Sequence, residues 1–96
     1  MNVIFTELAA KELMDAQSLY EMEIQGLGKA FLTEIKKAID RISRFPEAWP
    51  VLTTEIRKCV VRKFPYNLVY SIEKDFILIL AVAHQHRKPF YWIEKY

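Results

Sequence analysis

Cysteine occurs once in this chain, at Cys59. One thiol excludes an internal disulfide framework and any zinc site built on several cysteines. A reducing compartment suits such a chain, and a cytoplasmic location is expected. Glycine occurs twice and proline four times, which leaves little room for disorder or low complexity. Long apolar runs are also missing. The longest, residues 76–83, is too short to span a membrane. The opening stretch is interrupted by Glu7, Lys11 and Glu12, so no secretory signal is expected. A glycine-rich phosphate loop, a dinucleotide fingerprint and a Ser-His-Asp signature are all lacking, and no cofactor is expected.

What the chain does have is apolar bulk. Of its 96 residues, 52% are hydrophobic, including six Phe, five Tyr and two Trp. That supports one packed domain over residues 1–96. The formal charge of +2 is unevenly spread. Residues 1–55 carry six Lys/Arg against nine Asp/Glu, and residues 56–96 carry eight against three. A basic C-terminal part attracts phosphates or an acidic protein.

The periodicities predict the elements. "NVIF" reads as a short first strand, and Thr6 as a helix N-cap followed by Glu7 at the positive end of the helix dipole. Ala9, Leu13, Ala16, Tyr20 and Ile24 fall on one helical face. Gly26 suits the place just past a helix end. Phe31, Ile35, Ala38, Ile42 and Phe45 mark a second helix, with Leu32 and Ile39 widening its stripe. So short a link predicts an antiparallel helical hairpin. Pro46 and Pro50 predict a loop over residues 46–55, pinned by Trp49. "IRKCVVRKF" then reads as a strand. Pro65 and Tyr66 read as a turn, and "NLVYSI" as a strand with Leu68, Tyr70 and Ile72 on one face. "FILILAVAH" reads as a central strand, apolar on both faces. The order β-α-α-β-β-β predicts an α+β fold: an N-terminal strand, then a helical hairpin packed on a small, mostly antiparallel sheet. Tyr20, Phe45, Trp49, Cys59 and Tyr70 are expected in the core, and Trp92 in the core or over a sheet edge.

Three stretches, "GLGKAFLTEIKKAIDRISRFPEAWP", "IRKCVVRKFPYNLVYSI" and "AVAHQHRKPFYW", together resemble the RelE/ParE superfamily, toxins of bacterial type II toxin–antitoxin systems. The resemblance runs from Phe5 to Trp92 and implies the fold that the periodicity predicts. It does not choose an activity. One branch cleaves mRNA on the ribosome, and the other poisons DNA gyrase. A third reading is a non-toxic member that only binds its antitoxin.

Metal-independent RNA cleavage needs a base, an acid and cations around the phosphate. Arg62, His86, Arg87 and Tyr91 are the candidates for that set. RNA-cleaving relatives carry an arginine where this chain has Asn67, and a neutral amide cannot replace a guanidinium at a phosphorane. "FPY", "AVAH" and "HRKP" followed by "YW" resemble the ParE side, and gyrase poisoning is the preferred reading. It requires binding rather than catalysis. The expected contact set for target or antitoxin is Arg57, Lys58, Arg62, Lys63, Arg87, Lys88, Tyr91 and Trp92. Each of these cations has a plainer reading as a solvated strand edge. His84 and His86 stand two apart with no nearby acid or thiol in sequence, so no metal is expected. The resemblance implies a cognate antitoxin with an acidic amphipathic segment. It also implies that DNA binding belongs to the antitoxin, so direct DNA binding by this chain is not expected.

Overall fold

The computed structural model describes residues 1–95. Its elements are β1 (Asn2–Phe5), α1 (Glu7–Glu23), α2 (Leu27–Arg44), β2 (Val51–Thr53), β3 (Ile56–Val60), β4 (Tyr66–Ile72) and β5 (Phe76–His84), then a 3-10 turn at Tyr91–Lys95. The five strands form one sheet in the order β1-β5-β4-β3-β2. β1 runs parallel to β5, and the other pairs are antiparallel.

Thr6 caps α1 as expected, its Oγ1 accepting from the Ala9 N–H at 3.1 Å. The helix stops one residue short of the predicted stripe, and Ile24 is exposed in extended backbone. Gly26 sits at the head of α2 rather than directly past α1, with φ +89°, which a side chain rarely tolerates. The Glu21 carboxylate reaches over from α1 and accepts from the N–H groups of Gly26 (2.9 Å) and Gly28 (3.0 Å). One helix thus supplies the N-terminal cap that the other lacks. A Cβ on Gly28 would lie 2.7 Å from the Gln17 carbonyl oxygen, a backbone atom that cannot rotate away. Gly28→Ala is therefore expected to spread the hairpin and destabilise the protein by about 1–3 kcal/mol, read from thermal or urea unfolding.

The helices cover one face of the sheet. Phe31, Ile35, Ala38 and Ile42 of α2 and Ala9 and Ala16 of α1 pack with Cys59, Leu68, Tyr70, Ile77, Ile79 and Val82. Leu68, Tyr70 and Ile72 share that face, as β4's alternation predicted. Phe45 corrects the sequence reading. It falls after the last turn of α2, at the residue before Pro46, and it is 65% exposed. The loop predicted over 46–55 also holds β2, which pairs Val51 with Arg57. Tyr66 begins β4 rather than sitting in the turn.

β5 carries a bulge that no pattern announced. Val69 pairs with Ala81 and Tyr70 with Ile79, so Leu80 has no partner of its own. Leu80 and Ala81 both join the outer face, with Val69, Ala83 and Trp92. Past the bulge the alternation is reversed, which lets Val82 rejoin Ile77 and Ile79 under the helices. Trp92 is 3% exposed and covers part of the outer face.

Candidate functional site

β1 ends at Phe5, opposite Ile79, while β5 continues to His84. The far half of β5 therefore lacks a strand on that side. Side chains of α1 take the strand's place. Thr6 Oγ1 donates to the Leu80 carbonyl at 3.2 Å, and Glu12 accepts from the Val82 N–H at 2.9 Å. The other Glu12 oxygen accepts from the Tyr91 hydroxyl. One carboxylate thus ties α1, the uncovered edge of β5 and the C-terminal turn together. The Arg87 guanidinium lies over the Tyr91 ring at 3.9 Å from its centre, within cation–π range.

Burial, then the Glu12 carboxylate, push the Tyr91 phenol well above the usual tyrosine range. Tyr91 therefore stays protonated and acts as a hydrogen-bond donor rather than as a base. Tyr70 is pushed up to about 12, chiefly by burial, although Arg57 pulls the other way. Its hydroxyl donates to the Pro46 carbonyl. Both folded-state values lie above the ordinary value of 10.0. These phenols thus contribute stability fully below pH 10, and Tyr70's share is lost as pH rises toward 12. Unfolding in urea at stepped alkaline pH is expected to show a loss that Tyr70→Phe reduces.

On the Tyr91 side of this latch the chain forms an open cavity of about 220 Å³. Lys58, Arg87, Lys88, Tyr91 and Trp92 line it, together with Asn67 and His84. Five of the expected contact residues thus converge on one end of the sheet. Lys58 and Arg57 are neighbours on a strand, so they face opposite ways. Arg57 donates to the carbonyls of Glu47 (3.1 Å) and Trp49 (2.8 Å) and holds the loop after α2. Lys63 and Arg62 lie elsewhere. Lys63, with φ +71°, pairs at 3.6 Å with buried Glu34, which also meets Lys37 at 3.5 Å. Arg62 is exposed beside α2, in a concavity lined by Lys36, Lys37 and Arg41. His86 is exposed, and its backbone N–H donates to His84 Nδ1 at 3.1 Å. Among the described residues, no group of three His, Cys, Asp or Glu stands close enough to hold a metal. Cys59 is buried with its thiol pushed up by burial, in keeping with an inert core residue.

Of the four RNA-cleavage candidates, only Arg87 and Tyr91 come together at the cavity. The position of the missing arginine, Asn67, lies in the cavity wall with its Oδ1 buried and unpartnered. Glu12 is the residue of this site that sequence reasoning missed. It sits beside Leu13 on the flank of an amphipathic helix, and only the tertiary fold brings it to Tyr91, 79 residues away.

Residues 3–89 match the family described as the ParE toxin of the parDE type II toxin–antitoxin system. The chain belongs to the ParE toxin family. A solved structure described as the chromosomal ParDE TA system from P. aeruginosa shares its fold, with a TM-score of 0.65 at 16% identity over 88% of this chain and 95% of that one. No curated protein sequence matches the chain. No described helix of this ParE family member is long and apolar enough to cross a membrane.

Proposed function

We propose that this ParE family member arrests growth by binding DNA gyrase and trapping it on cleaved DNA. A cognate antitoxin neutralises it, as expected for a module that stabilises a plasmid or chromosomal segment. The observation that carries this reading is the convergence of Lys58, Arg87, Lys88, Tyr91 and Trp92 on one cavity whose potential catalytic phenol is committed to Glu12. Aromatic side chains with a cationic rim make up the anatomy of a binding hot spot. An antitoxin segment rich in acidic residues complements the same rim. Arg87 is exposed, so its removal leaves the core intact.

The test combines purified protein, gyrase, supercoiled plasmid and ATP. Linear DNA is expected to accumulate after detergent and protease treatment, and Arg87→Ala is expected to reduce it by about tenfold or more, as befits a hot-spot contact. Absence of cleaved DNA with the unmodified protein rejects gyrase as the target. Codon-specific mRNA cuts in a ribosome assay would then assign the ribosome instead.

A further inference from the structure

The two helices of the hairpin carry opposite charge. α1 holds Glu7, Glu12, Asp15, Glu21 and Glu23 against Lys11. α2 holds Lys29, Lys36, Lys37, Arg41 and Arg44 against Glu34 and Asp40. The acids on α2 are already engaged. Glu34 is buried between Lys37 and Lys63, and Asp40 pairs with Arg44 at 3.1 Å. Lys36, Arg41 and Arg62 meet in the concavity between α2 and the end of β3. Arg41 is held there by its own bond to the Val60 carbonyl at 3.2 Å, which leaves its Nε buried and unpartnered. A guanidinium fixed in place loses less freedom on meeting an anion than a free one.

This face lies on the helix side of the sheet. Lys58, Arg87 and Trp92 gather on the outer side and at the end of the sheet. Cations of residues 56–96 thus stand on two separate surfaces, Lys58, Arg87 and Lys88 on one and Arg62 on the other, and α2 adds cations only to the second.

We infer that the surface formed by Lys36, Arg41 and Arg62 binds the sugar–phosphate backbone of DNA without reading sequence. The lining of the concavity favours a nucleic acid over an acidic peptide, its one carboxylate, Asp40, being paired with Arg44. It consists of Thr33, Lys36, Lys37, Asp40, Arg41 and Arg62. A protein segment needs apolar anchors in the centre of its footprint, whereas phosphates need only cations and hydroxyl or amide donors. The acidic α1 on the neighbouring helix makes the molecule a dipole that turns α2 toward a polyanion. The inference departs from the expectation that DNA binding belongs to the antitoxin alone. It does not rest on the gyrase reading, because it is measured without gyrase.

The test is fluorescence anisotropy of a short labelled DNA duplex titrated with the full-length protein free of antitoxin. Binding is expected at low salt, weakening about 40-fold between about 50 and 200 mM NaCl if three phosphates are neutralised. Lys36→Glu/Arg62→Glu is expected to abolish it. The milder Lys36→Gln/Arg62→Gln pair is expected to keep the fold and to lower the salt slope by about 0.9 per residue removed. Lys58→Ala/Arg87→Ala, on the other surface, is expected to bind as the unmodified protein does. Four results would overturn the inference: no anisotropy change at low salt; an unchanged salt slope in the glutamine pair; loss of binding in the Lys58/Arg87 pair; or displacement of the duplex by polyglutamate at a lower charge concentration than by unlabelled DNA.

Discussion

Phe31→Ala is expected to lower the free energy of unfolding by about 3–5 kcal/mol, among the larger losses from a single truncation. Phe31 is fully buried. Its ring meets Tyr20 of α1, Phe64 before β4 and Tyr66 of β4, each at 5.2 Å between centres. Two distant parts of the chain, α1 and the segment entering β4, therefore close on one side chain. Deleting it forfeits the transfer energy of the ring. It also leaves a void that three rigid aromatics cannot fill without breaking their own contacts. A small domain has about 5–15 kcal/mol in total, so the variant is expected to be partly unfolded near physiological temperature. Phe31→Leu retains most of the volume and is expected to cost far less. Urea titration at constant slope measures both. A loss below about 1 kcal/mol for the alanine variant would mean that the aromatic cluster collapses inward and carries little of the stability.

Glu12→Ala is expected to cost about 2–4 kcal/mol, because it strands two groups at once, the Val82 N–H and the Tyr91 hydroxyl, each worth about 1–3 kcal/mol when left unsatisfied. Tyr91→Phe alone is expected to cost less, since it removes the donor together with the need for an acceptor. The double variant is expected to be less destabilised than the sum of the two, with a coupling of about 0.5–3 kcal/mol between contacting groups. Glu12→Gln keeps one acceptor for the Val82 N–H and is expected to fall between Glu12→Ala and the unmodified protein. Loosening of the C-terminal turn has its own signal. In a Trp49→Phe background, Trp92 is the remaining tryptophan, and its emission is expected to shift to the red when the latch is cut. Full additivity of the two losses would show that Glu12 and Tyr91 act separately, and the latch would have to be given up.

The same residues mark where sequence reasoning stops. Periodicity over short windows determined the helix faces, the Thr6 cap, the four longer strands and the α+β order, because those features depend on neighbours within about one or two turns. It misplaced Phe45, since a residue next to Pro46 can continue an apolar stripe in sequence after the helix has ended in space. It missed β2, three residues that pair with β3 beside the loop held by Arg57. An apolar run such as residues 76–83 looks the same with or without a bulge. Nothing local showed that Leu80 shifts the alternation beneath the helices.

Charge followed the same rule. The order of residues alone concentrates the cations after residue 55 and puts Arg87, Lys88, Tyr91 and Trp92 in one short segment. Their groupings come from the fold. The pleat sends Arg57 and Lys58 to opposite faces. Lys63 is drawn to buried Glu34 and Arg62 to the α2 surface, and Lys58 joins the cavity at Arg87. The Glu12–Tyr91 bond spans 79 residues. Contacts at that separation are set by which strand edge is left uncovered and which helix passes over it, and no local pattern of residues encodes either.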